Sequence, residues 1–168
     1  MSILRRSSAM ARIVKVLGEA WGEAEISLGV AALRSGGVVA VPTDTIYGLA
    51  TSLDYAQSLY RVKGRQPSKP LALCLPNLSA IPSVALAEGL SEALLSELLP
   101  GPRTVCLQRA DNLPVSLNPG LDSIGLRIPD AAFIRRLTAA FGRPLALTSA
   151  NPSNRFLASD KKMAKTLL

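Results

Sequence analysis

Ser35-Gly36-Gly37-Val38-Val39-Ala40-Val41-Pro42-Thr43-Asp44-Thr45-Ile46-Tyr47-Gly48 brings together a helix end, a buried strand and a polar loop. Upstream, apolar residues recur at helical spacing from Glu23 to Arg34 (Ile26, Val30, Ala31, Leu33), and Ser35-Gly36-Gly37 ends that helix. Val38–Val41 is a short apolar run stopped by Pro42, which reads as a buried strand. The same pattern continues downstream. A second helix is expected over Tyr55–Val62, with Gly64 and Pro67 preventing its continuation. Leu71–Leu75 reads as a buried strand, and Leu90–Leu99 as a helix that stops at Pro100-Gly101-Pro102. Thr104–Gln108 and Ser123–Ile128 read as strands. Asp130 is expected to cap a helix running to about Phe141, with Gly142 at its end. Leu145–Thr148 is the last clear strand. Short apolar strands alternating with helices make the class α/β with a largely buried sheet. Strand order and direction stay open.

A chain of 168 residues has room for one ordinary domain, and 48% apolar with 18% charged residues supplies a core and excludes wholesale disorder. No apolar run reaches the ~18 residues of a membrane-spanning helix, so no transmembrane segment is expected. Histidine is absent. That excludes His-based acid–base chemistry, Ser–His and Cys–His dyads, and His-ligated zinc. Cys74 (in LALCL) and Cys106 (in TVCLQ) are too few for a disulfide scaffold or a four-thiolate metal site, and both are expected as buried small hydrophobes. No metal-ligating set is read from the sequence.

The net charge of +7 and the isoelectric point near 9.9 suggest nucleic acid until the charges are located. Residues 1–18 carry Arg5, Arg6, Arg12 and Lys15 with no acid. Residues 155–168 carry Arg155, Lys161, Lys162 and Lys165 against Asp160, and the body between has as many acids as bases. The basicity therefore belongs to the ends and does not argue for a nucleic-acid groove. The first eighteen residues fit a mitochondrial transit segment or a short solvated arm, so cytoplasmic and mitochondrial locations both stay open. Residues 155–168 promise one weakly amphipathic helix at best, which leaves 19–154 as the domain.

The polar groups that could carry chemistry gather at strand ends, where open α/β sheets place ligands. Pro42–Gly48 can hold a small polar ligand, or can be an Asx or Ser/Thr turn. Lys63-Gly64-Arg65, with Lys69-Pro70 after it, offers two converging cations that suit a polyphosphate, or a solvated basic helix end. Pro100-Gly101-Pro102 delivers Arg103 and Thr104 into a strand. Thr148-Ser149-Ala150-Asn151 exposes two hydroxyls and an amide. Arg127 lies inside an apolar strand and needs an anionic partner, either structural or a ligand. No glycine-rich P-loop or dinucleotide fingerprint is present.

PTDTIYGLA, KGR followed by KPL, PGPRT, GLRIP and TSAN, in this order, resemble the YrdC/Sua5 family of L-threonylcarbamoyladenylate synthases, from about Ala24 to Asn154. The animal YRDC-domain members are especially similar. The resemblance implies an α/β fold with a twisted mixed sheet and flanking helices around a positively charged cavity. It also implies a nucleotidyltransferase activity: L-threonine, bicarbonate and ATP, the last with Mg²⁺, give threonylcarbamoyl-AMP and pyrophosphate. The product is then used by a downstream tRNA threonylcarbamoyl transferase at adenosine 37. By the same resemblance Lys63, Arg65, Ser149 and Asn151 surround the nucleotide, with Lys63 and Arg65 catalytic. Thr104 lies near the phosphates, Thr45 faces the threonine, and Arg127 pairs with its carboxylate. Cys74 stands where some microbial members have histidine. Family members continue well beyond SAN, so the sheet is expected to be incomplete at its C-terminal end, with 155–168 as a tail outside the family pattern. The alternative expectation is a non-catalytic module that binds tRNA, double-stranded RNA or a partner protein.

Overall fold

The computed structural model describes residues 21–64 and 69–151. The expected arm at 1–18, the expected tail at 155–168 and Arg65 lie outside the described residues. Among the described residues seven strands form one sheet: β1 (Val39–Val41), β2 (Gly48–Ser52), β3 (Ala72–Cys74), β4 (Ala85–Leu86), β5 (Val105–Arg109), β6 (Ser123–Arg127) and β7 (Leu145–Ser149). Their order is β1-β2-β7-β3-β6-β5-β4. Every pairing is antiparallel except β3 with β6. Four α-helices of the described residues flank it: α1 (Glu23–Arg34), α2 (Gln57–Lys63), α3 (Glu92–Leu98) and α4 (Ala132–Phe141). The expected twisted mixed α/β architecture is the one found.

Alternation along the strands divides the core in two. Leu49, Leu73, Leu107, Ile124, Leu126 and Ala146 pack with Leu59 and Tyr60 of α2 and Leu95 of α3. Val41, Ala50, Cys74, Leu145 and Leu147 pack with Ile26 and Leu33 of α1 and Ile134 and Leu137 of α4. The second face is covered unevenly. Strand register lines up Val39, Ala50, Leu147, Ala72, Gly125 and Cys106 across it. The first three belong to, or pack against, the cluster beneath α1 and α4, whereas Cys106 at the far end is exposed. Cys74 fits its expectation as a buried hydrophobe; Cys106, at an exposed position of β5, does not.

Several element boundaries follow from local chemistry. The α1 helix has the bounds its periodicity suggests. Glu25 reaches back to accept from the Gly22 N–H at 2.8 Å, and that bond holds its carboxyl below the usual carboxylate range. Ser91 caps α3 by accepting from the Leu94 N–H at 3.2 Å. Asp130 does not cap α4. The N-cap is Ala131, whose carbonyl accepts from the Arg135 N–H, and the Asp130 carboxylate pairs instead with the Arg135 side chain at 3.5 Å. The second helix begins at Gln57, after a 3-10 turn over Leu53–Tyr55, and Gly64 closes it in the left-handed conformation at φ 55°.

Candidate functional site

A cavity of about 180 Å³ lies across one face of the sheet, from the Gly48 and Ser149 ends of β2 and β7 to Arg127 at the end of β6, which is level with the start of β7. Its lining includes Thr43 and Ile46 from the loop after β1, Gly48 at the start of β2, Pro70 and Ala72 at β3, Thr104 ahead of β5, Arg127, and Leu147–Ser149. The cavity lies where the register row narrows from Leu147 to Ala72 and Gly125, side chains too small to fill the space. A Cβ on Gly125 would stand 2.9 Å from Thr104 Cγ2, so glycine there leaves room for Thr104. The Pro100–Pro102 turn is tied back by Gly101 N–H donating to the Ile128 carbonyl at 2.9 Å. Arg103, delivered by the same turn, is exposed and absent from the lining.

Lys63 is the last residue of α2, and its side chain is buried with the residue only 9% exposed. Nζ donates to the Ser149 carbonyl at 2.7 Å, to Ser149 Oγ at 3.2 Å and to Thr148 Oγ1 at 3.3 Å. Ser149 Oγ in turn pairs with Asn151 Oδ1. Lys63, Ser149 and Asn151, expected together, are thus one connected group, although some 86 residues separate its members in sequence. A buried ammonium needs such oxygen partners because desolvation otherwise disfavours its charge.

Across the cavity, Arg127 at the end of β6 donates through Nη2 to Asp44 Oδ1 and to Thr45 Oγ1, both at 2.7 Å. The side chains of Arg127 and Asp44 are 17% and 11% exposed. The anionic partner that an arginine in an apolar strand requires is therefore Asp44, within the fold. Arg127 Nε is buried without a hydrogen-bond partner. The Pro42–Gly48 loop is also a Ser/Thr turn: Thr43 Oγ1 donates to the Ile46 carbonyl at 2.6 Å and accepts from the Thr45 N–H at 3.3 Å. The turn presents Asp44 and Thr45 to Arg127, so its local and its site-building roles coincide.

Of the sequence-derived site residues, Thr104, Arg127 and Ser149 line the cavity. Thr45, Lys63 and Asn151 join them by hydrogen bonds. Asp44 was expected only as a loop carboxylate, and its pairing with Arg127 lies across 83 residues, beyond any local signal. Asn118 was not singled out at all; the only hint is its place ahead of Pro119-Gly120.

A mixed seven-stranded sheet with a lysine, an arginine and several hydroxyls around one small cavity on its face defines an α/β protein with a polar, cation-bearing cleft. Residues 31–168 match the family model Sua5_yciO_yrdC, whose description reads "Telomere recombination". The chain belongs to the Sua5/YciO/YrdC family. It is 49% identical over 137 residues to threonylcarbamoyl-AMP synthase from Bos taurus, covering 80% of this chain and 49% of the bovine protein. Among solved structures it resembles Pyrococcus abyssi Sua5 complexed with L-threonine, at TM-score 0.79 and 26% identity over 88% of this chain and 45% of that one. Escherichia coli YciO is similar too, at TM-score 0.77 and 25% identity over 88% of this chain and 74% of that one. The chain spans about half the length of curated relatives it matches, such as the bovine and human proteins.

Proposed function

We propose that this chain carries the nucleotide and threonine cleft of a threonylcarbamoyl-AMP synthase, converting L-threonine, bicarbonate and ATP to threonylcarbamoyl-AMP and pyrophosphate. The observation that carries this reading is a pair of cations on separate elements, Lys63 buried and Arg127 partly buried. Lys63 lies against Ser149 and Arg127 against Thr45, at the edges of one cavity. The relatives' printed name and the threonine complex of the Pyrococcus structure support it.

In this reading the amine of threonine condenses with bicarbonate to a carbamate, releasing water, and a carbamate oxygen attacks the α-phosphate of ATP while pyrophosphate leaves. Such a transfer needs in-line positioning and neutralisation of developing charge, not a histidine base or a covalent nucleophile. Lys63 and Arg65 neutralise the phosphates. Thr104, Ser149 and Asn151 hold the nucleotide through hydroxyl and amide groups. Thr45 orients the threonine, and Arg127, with Nε still unpartnered, receives its carboxylate. Mg²⁺ enters as the counter-ion of ATP, as part of the substrate. The product is an activated threonylcarbamoyl group, which a downstream transferase would place on adenosine 37 of tRNA.

The test is pyrophosphate release from MgATP with and without L-threonine and bicarbonate. Release that depends on both co-substrates, and that falls on the order of a hundredfold in Lys63→Ala, about 3 kcal/mol of transition-state stabilisation, is the expected result. Folded protein that releases none, yet binds tRNA or double-stranded RNA, would instead make it a non-catalytic binding module.

A further inference from the structure

Asn118 lies in the loop between β5 and β6, is 1% exposed, and has a left-handed backbone at φ 50°, which asparagine tolerates better than most residues. Its Oδ1 accepts from the Leu71 N–H at 2.8 Å and from the Tyr60 hydroxyl at 3.1 Å, while Nδ2 donates to the Leu71 carbonyl at 2.8 Å. One amide therefore grips two separate elements. Tyr60 lies three residues, just under one helical turn, before Lys63 on α2, and Leu71 stands between Pro70 and Ala72, which line the cavity.

The loop that carries Asn118 is itself held rigidly. Arg109, at the end of β5, donates through Nη1 to the Leu117 carbonyl at 2.9 Å and the Leu121 carbonyl at 3.4 Å. Through Nη2 it donates to the Pro114 carbonyl at 3.0 Å and the Leu113 carbonyl at 3.3 Å. A second strut runs from Gln57 Nε2, at the start of α2, to the Ser116 carbonyl at 2.9 Å. A guanidinium that collects several carbonyls fixes a stretch of chain with no regular ladder of its own.

We infer that Asn118 is a positioning residue for the cleft: through Tyr60 and Leu71 it sets the end of α2 that carries Lys63 against the Pro70–Ala72 wall. The inference rests on Lys63 serving the nucleotide, as proposed above. Asparagine suits the task because its amide is at once donor and acceptor to a single peptide unit. Aspartate would set a carboxylate oxygen against the Leu71 carbonyl, and alanine would leave both Leu71 groups unpartnered in the core.

Because Asn118→Ala threatens the fold itself, the test uses Tyr60→Phe, which removes one hydroxyl, together with Asn118→Asp. Steady-state pyrophosphate release should give a KM for ATP raised roughly three- to tenfold in Tyr60→Phe, the range of one lost hydrogen bond, with the KM for L-threonine unchanged. Asn118→Asp should shift the ATP value at least as far. A merely structural role would lower the active fraction and so kcat, leaving both KM values alone. Hydrogen exchange on the same proteins reads the mechanical link without catalysis. Faster exchange confined to α2 and β3, with α1 and α4 unchanged, is expected. Unchanged ATP KM, or a uniform rise in exchange, would overturn the inference. If the parent releases no pyrophosphate, the synthase reading fails, and the exchange pattern alone decides whether Asn118 couples the two elements.

Discussion

At the scale of single residues, the Arg127–Asp44 pair joins stability to the site. Both side chains are largely buried, so Asp44→Asn should leave a guanidinium without its counter-charge and cost roughly 2–3 kcal/mol in the denaturant midpoint. Added L-threonine should stabilise this variant more than the parent, because the ligand carboxylate would take over the vacated partner; equal stabilisation would argue that Arg127 does not meet that carboxylate. The two cysteines divide just as sharply. Burial, opposed by the Thr138 hydroxyl, pushes the Cys74 thiol up to about 11 from an ordinary 9.0. The neutral thiol is the form the fold favours. Its contribution, roughly 2–3 kcal/mol, is fully present below pH 9 and is lost as pH rises through about 11. Unfolding measured from pH 8 to 11 should therefore steepen in the parent and flatten in Cys74→Ala. A thiol reagent at neutral pH should label Cys106 and leave Cys74 untouched until the chain unfolds.

Among the elements, β6 shows how a strand can serve core and site together. Ile124 and Leu126 face the larger apolar cluster, while Gly125 and Arg127 occupy the alternate positions on the cleft side. Gly125→Ala should put a methyl against Thr104 Cγ2 and push that side chain from its place. The expected outcome is a change in melting temperature equivalent to about 1 kcal/mol or less, with pyrophosphate release several-fold lower. Unaltered release would show that Thr104 is not needed where it stands. Other elements were readable to differing degrees. The α1 helix was plain, since its apolar spacing and the Ser35-Gly36-Gly37 stop agree. Strand β2 was not read as a strand, because Gly48-Leu49-Ala50-Thr51-Ser52 has small residues and no β-branched run; pairing on both sides by β1 and β7 makes it one. Asp130 has the residue type of a cap, but Ala131 takes that position and the Asp130 carboxylate pairs with Arg135, five residues on.

For the whole molecule, stability rests on a sheet packed on both faces, and Leu126 is fully buried in an inner strand paired on either side. Leu126→Ala should cost about 2–5 kcal/mol in chemical denaturation, and a smaller loss would mean that the core closes around the gap. By itself the amino-acid sequence determined the α/β class, most helices and strands, and the motifs that gather at strand ends. These depend on local spacing, on glycine and proline, and on residue types that only a few roles suit. Tertiary structure alone decided the strand order, with its single parallel pair, and the partners that hold the site together. It placed Lys63 on Ser149 and Arg127 on Asp44, left Cys106 exposed, and fixed two sides of the cleft to the Asn118 amide. Each of those contacts joins residues that only the closed sheet brings together, and hydrophobic periodicity is silent about which buried strand lies beside which.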